Sequence, residues 1–251
     1  MKEYDQRFFE ERDARTRYGA ERVLGVILDA LPPVSSGVDI GCGVGTWLNV
    51  LAAKGVEDVV GAEGDWLDTA LLKIDSSRFV RIDLREAIPI DRRFDLAISL
   101  EVAEHVTPEQ GDRLVGKLCE MADFVLFSAA IPCQGGKHHV NEQWQSYWAR
   151  KFADRGFLAF DIVRPAVWGD DRVDVWYRQN TLLYVKETRA GELRTDAKPS
   201  DPESLSMVHP ELYTRRLLRA HSPSGGAKSL LRSMVGGGHS VQTLREAKSR
   251  A

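Results

Sequence analysis

Residues 38 to 48 read VDIGCGVGTWL, an apolar run that gives way to three glycines spaced one residue apart. Gly41, Gly43 and Gly45 permit backbone angles and a close approach that a Cβ would forbid, so a ligand can lie against the turn between a strand and the following helix. The spacing is G-x-G-x-G. Thr46 stands where a dinucleotide-binding loop would place its third glycine, which disfavours NAD and FAD.

The rest of the chain alternates between strand-like apolar runs and stretches of helical period, the pattern of a parallel sheet flanked by helices. Ala20, Leu24, Ile27, Leu28 and Leu31 follow helical spacing, and Pro32-Pro33 stops that helix, so residues 1–33 supply the N-terminal helices. Five strands follow, in GVDIGCG, VEDVVGAE, FVRIDL, FDLAISL and ADFVLFSAA, with FLAFDIVRP and NTLLYVKE as a late pair. Trp47 to Lys54 predicts a helix that Gly55 ends. Thr107, Pro108 and Gln110 form an N-terminal capping pattern for a helix with Leu114, Leu118 and Met121 on one face. Asn141 is expected to cap a helix on which Trp144, Trp148 and Phe152 recur every four residues, ended by Gly156.

A hydrophobic content of 43% in 251 residues is enough to bury a core. The charged N-terminus lacks a signal peptide's apolar run, and no stretch of about 18 apolar residues could span a membrane. A cytoplasmic protein is expected. Cys42, Cys119 and Cys133 are widely spaced, form no CxxC pair, and are expected to be free thiols. The net charge of −3 is uneven: residues 188–251 carry +5 and the remainder −8. An acidic body argues against nucleic acid as the main substrate, because phosphate contacts need clustered Lys and Arg. After Glu187 the composition turns to Ser, Pro, Gly and Arg, which predicts a mostly disordered basic tail over 188–251 with short helices such as Pro210 to Ala220.

Carboxylates mark the strand ends. Asp39 precedes the glycine loop by two residues, Glu63 ends the second strand, and Asp83 closes the third. A carboxylate at the end of the second strand can accept both hydroxyls of a ribose. Taken together, VDIGCGVGTWL, VVGAEGDW, FVRIDL and FDLAISLEVAEHV resemble, in order and spacing, the class I S-adenosylmethionine-dependent methyltransferases. The resemblance covers roughly residues 18 to 187, and residues 1–187 are expected to form the methyltransferase domain. It implies an α/β fold: a doubly wound, seven-stranded, mostly parallel Rossmann-like sheet with a reversed last strand. By the same resemblance, Gly41, Gly43 and Gly45, preceded by Asp39, line the methionine part of S-adenosylmethionine. Glu63 holds the ribose, Asp83 and the Leu84 backbone hold the adenine, and Leu100 and Glu101 border the methionine and the methyl group.

The acceptor is narrowed by what is missing. Enzymes that methylate base amines carry Asn or Asp, then Pro-Pro and an aromatic, after the fourth strand; this chain has SLEVAEH. Pro132-Cys133-Gln134 matches the tripeptide of cytosine C5 methyltransferases but follows the fifth strand, and no companion Pro-Cys follows the fourth, so Cys133 reads better as a pocket-wall residue than as a nucleophile.

The stretch IPCQGGKHHVNEQWQSYW begins at the carboxyl edge of the fifth strand, facing the acceptor. It resembles some bacterial methyltransferases found with sugar-modifying enzymes. Transfer to a hydroxyl needs a base near neutral pH, and histidine suits that role. His139 and His105 are the candidate bases, with helix capping and backbone bonding as their structural readings. A metal on His138, His139, Glu101 and Glu104 is disfavoured because adjacent histidines point apart, and no metal is expected. Trp144, Tyr147 and Trp148 read as core before they read as a sugar platform. Trp168, Trp176 and Tyr177, between the last two strands, are candidates for a lid. The expected activity is methyl transfer to a small-molecule acceptor, a hydroxyl of a sugar or secondary metabolite. Methylation of RNA or protein, or cofactor binding without transfer, are the alternatives.

Overall fold

In a computed structural model of the chain, residues 6–221 are described, with side chains from residue 16 to residue 218. The chain divides into two compact units, residues 1–207 and 208–251.

The first unit opens with helix α1 (Gln6–Ala30), strand β1 (Ser36–Ile40), α2 (Thr46–Ala53), β2 (Asp58–Glu63), β3 (Phe79–Arg81) and β4 (Leu96–Leu100). It continues with α3 (Pro108–Met121), β5 (Phe124–Ser128), α4 (Gln145–Ala153), β6 (Phe157–Phe160), α5 (Val163–Val167), α6 (Val175–Asn180) and β7 (Leu182–Lys186). The strands form one sheet in the order β3-β2-β1-β4-β5-β7-β6. β1 to β5 pair in parallel, and β7 runs antiparallel between β5 and β6. The seven expected strands and the reversed last strand are all present.

Both faces of the sheet are covered, which is why its strands read as continuous apolar runs. Alternation divides them between two cores. Ala97, Val125, Phe127, Leu182 and Tyr184 pack with Leu114, Val115 and Leu118 of α3 and Trp148 and Phe152 of α4. Leu96, Ile98, Leu126, Leu183 and Val185 pack on the other face with Val23, Leu24 and Ile27 of α1 and Leu48 and Leu51 of α2. The Phe152 and Tyr184 rings stack with centroids 3.8 Å apart and seat α4 on β7.

The predicted capping box on α3 is formed: Gln110 N donates to Thr107 Oγ1 at 3.3 Å and Thr107 N donates to Gln110 Oε1 at 2.8 Å. Asn141 does not cap α4, whose N-cap residue is Trp144, without a side-chain bond. Instead Asn141 Nδ2 donates to the Ala103 carbonyl at 3.2 Å, a long-range partner that outcompetes the local one. Trp148 is core, whereas Trp144 is exposed. Tyr177 is also core rather than lid, 3% exposed and edge-on to Trp47 at 5.2 Å.

Order extends past Glu187. Ser200 N donates to the Ala159 carbonyl and Arg194 N to that of Ala30, both at 2.8 Å. The buried Arg164 guanidinium donates to the Leu205 carbonyl at 2.8 Å, and Gln145 holds Met207 through its N–H and its carbonyl. The first unit therefore takes in residues 188–207 from the segment expected to be tail. In the second unit, Pro210–His221 is helical (α7), as the sequence predicts for Pro210 to Ala220; residues 222–251 lie outside the described chain.

Candidate active site

All three loop glycines adopt left-handed backbone angles, with φ of 84° at Gly41, 55° at Gly43 and 82° at Gly45. A Cβ on Gly41 would overlap the Val102 side chain, so the loop after β1 lies flush against the loop after β4. At Gly43 a Cβ would meet nothing within 4 Å. That open space beside a bare backbone is what a bound cofactor requires.

Glu63 caps this cradle. Its Oε2 accepts the Gly43 N–H at 2.9 Å and its Oε1 accepts the Gly64 N–H at 2.8 Å. Trp66, 57% exposed, lays its ring over Gly64. Asp39 is buried behind the loop. Burial first, and the Glu63 charge second, hold its carboxyl well above the usual carboxylate range.

Asp83 follows β3, with its carboxylate held by Arg85: the Nε lies 2.9 Å from both oxygens and the Arg85 backbone N–H donates at 2.9 Å. These bonds lower its pKa to about 2. An adenine amine bound there would share or displace the Arg85 contacts. Leu84 is half-buried beside it.

Leu100 ends β4, and Glu101 turns away from the strand at φ 57°. The Glu101 N–H donates to the Ser128 carbonyl at 3.0 Å, tying the β4 end to the β5 end. Its carboxylate lies in a buried amide network that the sequence reading missed. Gln134 Nε2 donates to Oε2 at 2.8 Å and Asn180 Nδ2 donates to Oε1 at 3.1 Å. Asn180 also donates to Gln134 Oε1 at 2.9 Å, and Gln179 donates to Asn180 Oδ1 at 2.9 Å. Desolvation raises the Glu101 pKa while Asn180, Ser128 and Gln134 pull it back. Gln134 belongs to the Pro-Cys-Gln tripeptide, so the buried member of that motif is its glutamine; Cys133 is exposed, with φ 68°.

The histidine candidates come together. His105 ends the 3-10 turn Ala103–His105, and its ring meets that of His139 edge-on with centroids 4.8 Å apart. The Val140 and Asn141 N–H groups donate to the Glu104 carbonyl at 2.8 and 3.1 Å, so backbone bonds hold the two loops together. His139 Nδ1 lies 2.9 Å from Glu142 Oε1, and its Nε2 faces Glu104 Oε1 at 4.0 Å. Glu142 is fixed by the N–H groups of Cys133 at 2.8 Å and Gly135 at 2.5 Å. A Cβ on Gly136 would overlap the His139 ring, so the glycine admits the imidazole. His138, exposed at φ 60°, is outside the cluster.

A parallel sheet whose first turn is a left-handed glycine loop, with an acid at the end of its second strand, is the arrangement by which open α/β folds hold an adenosine cofactor at the carboxyl ends of their strands. The methyltransferase domain family matches residues 9–160. The chain belongs to that family and is a class I S-adenosylmethionine-dependent methyltransferase. The fold is shared with magnesium protoporphyrin IX methyltransferase from Synechocystis PCC 6803, crystallised with S-adenosylmethionine. The two are 20% identical over 69% of this chain and 80% of that one, with a TM-score of 0.50. It is also shared with the plantazolicin methyltransferase BpumL in complex with S-adenosylhomocysteine, at 11% identity, 73% and 91% coverage and a TM-score of 0.52. A comparison with curated proteins found no match. Among the described residues, no helix is long and apolar enough to cross a membrane.

Proposed function

We propose that the enzyme transfers the methyl group of S-adenosylmethionine to a hydroxyl of a small molecule, such as a sugar or secondary metabolite. The neighbours of known structure act on a porphyrin and on plantazolicin, in keeping with a small acceptor. When bound, the cofactor supplies an electrophilic methyl on a sulfonium, whose departure leaves a neutral thioether.

This chain's residues supply alignment and a place for the proton. Gly41, Gly43 and Gly45 would cradle the methionine part against open backbone, and Glu63 would grip the ribose from its position between two amides. Asp39, buried behind the loop, would back the methionine site, Asp83 and the Leu84 backbone would take the adenine, and Leu100 and Glu101 would border the methionine. In-line displacement gains most from holding the two reacting atoms in register. The buried Glu101–Gln134–Asn180 network fixes the strand ends that form that wall.

One observation carries the acceptor assignment: the His105–His139 pair at the carboxyl edge of β4 and β5, with His139 oriented by Glu142. In the metal-free protein His139 is the candidate base, and His105 is next to it. Formation of S-adenosylhomocysteine against a panel of hydroxylated acceptors tests the reading. His139→Ala and His105→Ala are each expected to lower turnover by about 10²-fold or more with cofactor affinity retained. Wild-type turnover in both variants would remove the histidines from the mechanism.

The three cysteines are free thiols, in keeping with a reducing compartment, and we place the enzyme in the cytoplasm. Cell fractionation tests that placement; recovery outside the cytosolic fraction would refute it.

A further inference from the structure

Glu104, His105 and His139 each offer one ligand atom, and these atoms lie within 4.8 Å of one another. Adjacent histidines point apart, and His138 is indeed excluded; the second imidazole comes instead from the loop after the neighbouring parallel strand. We propose that this triad binds a divalent transition-metal ion, of the Zn²⁺, Mn²⁺ or Co²⁺ type, at the acceptor end of the site.

Two imidazoles and one carboxylate suit such ions, whereas Mg²⁺ and Ca²⁺ prefer all-oxygen shells. The donor atoms around one ion of this kind stand roughly 3 to 4 Å apart. His139 Nε2 and Glu104 Oε1 are at 4.0 Å, too far for a hydrogen bond and near the span of two ligands on one ion. Closing the triad asks about an ångström, chiefly of the exposed His105 ring, because the His139 side chain is 12% exposed and paired with Glu142 and that of Glu104 is 1% exposed.

The surroundings are built for a ligating histidine. His139 faces Glu104 with Nε2 while its Nδ1 meets Glu142 Oε1 at 2.9 Å, the carboxylate–imidazole pairing that fixes tautomer and ring direction in metal sites. Two backbone amides in turn hold Glu142. Glu104 and Glu142 both face His139, so two carboxylates stand beside the imidazole pair, negative charge that a dication balances. Three ligands also leave open positions on the ion, as in catalytic rather than structural sites.

The role of the ion rests on the methyl-transfer reading; its binding does not. An acceptor hydroxyl bound to the ion would lose its proton to water more readily. The new C–O bond then forms as the C–S bond breaks, with the electron pair left on sulfur. The imidazoles serve as ligands in that state, and the ion takes over from the base.

The test is titration of chelator-treated protein with Co²⁺ alone, followed by its visible d–d bands, then displacement by Zn²⁺. One ion per chain is expected. Affinity should fall at least about tenfold in His105→Ala, in His139→Ala and in the isosteric Glu104→Gln, and about 10- to 100-fold in Glu142→Gln, with unchanged thermal melts. His138→Ala should bind as wild type. Absence of stoichiometric binding, or wild-type binding by a folded His105→Ala/His139→Ala double variant, overturns the proposal. Because neither cofactor nor acceptor is present, that failure leaves the methyl-transfer reading to stand or fall on S-adenosylhomocysteine formation.

Discussion

Glu63 and Gly43 meet across the ends of the first two strands, where the Glu63 carboxylate accepts the Gly43 N–H at 2.9 Å. The residue that would bind the ribose thus also fixes the loop that would bind the methionine. Glu63→Ala removes both functions. Hydrogen bonds to a charged group contribute about 1.5–3 kcal/mol, so affinity for S-adenosylmethionine should fall by about one to two powers of ten, read by calorimetry. Unchanged affinity would place the ribose elsewhere.

Two glycines of the same loop separate stability from binding. Gly41→Ala combines left-handed strain of about 1–2 kcal/mol with overlap on Val102, and should lower the melting temperature by several degrees. Gly43→Ala carries the strain but faces open space, so it should melt closer to wild type and yet lose cofactor affinity. Equal effects on both readouts would argue against a ligand over Gly43.

Asp39 makes folding stability depend on pH. Its carboxyl binds a proton more tightly in the folded protein than in the unfolded chain, so its contribution is fully present below the unfolded value near 4. That contribution is lost as pH rises through the higher folded value. Asp39→Asn should therefore be more stable than wild type at about pH 8, with the advantage shrinking toward about pH 4. Urea denaturation across that range checks it; a constant difference would mean that Asp39 has an ordinary pKa.

Gly136 makes room for the His139 ring. Gly136→Ala lies on an exposed loop and should fold normally, yet it should displace the imidazole and reduce methyl transfer to the level of His139→Ala. Steady-state turnover of the two variants decides; an active Gly136→Ala would show that the ring's position is unimportant.

Much of the fold was legible because its signals are local. Each strand is an apolar run closed by a glycine, a proline or a charge, and the Thr107–Gln110 box needs only its own four residues. The short helices α5 and α6 carry too few turns to show a period, so Tyr177 read as a lid residue when contact with Trp47 makes it core. Asn141 misled for a related reason: its side chain found the Ala103 carbonyl, distant in sequence, before any helix end. In the site, the glycines and Glu63 stood out by position. The pairing of His105 with His139 depends on β4 and β5 lying side by side in parallel, and the burial of Gln134, Gln179 and Asn180 around Glu101 depends also on β7 entering antiparallel beside β5. A signal did exist: parallel neighbours place their carboxyl-end loops together, which would have set the HH pair against EVAEH.

The central claim is that the cradle from Gly41 to Gly45, with Glu63 at its rim, holds a sulfonium nucleoside. Titration calorimetry of the wild-type protein with S-adenosylmethionine, and separately with NAD, addresses it directly. One S-adenosylmethionine per chain with no measurable NAD binding is the predicted result; equal affinity for the two, or no uptake of S-adenosylmethionine, would contradict it.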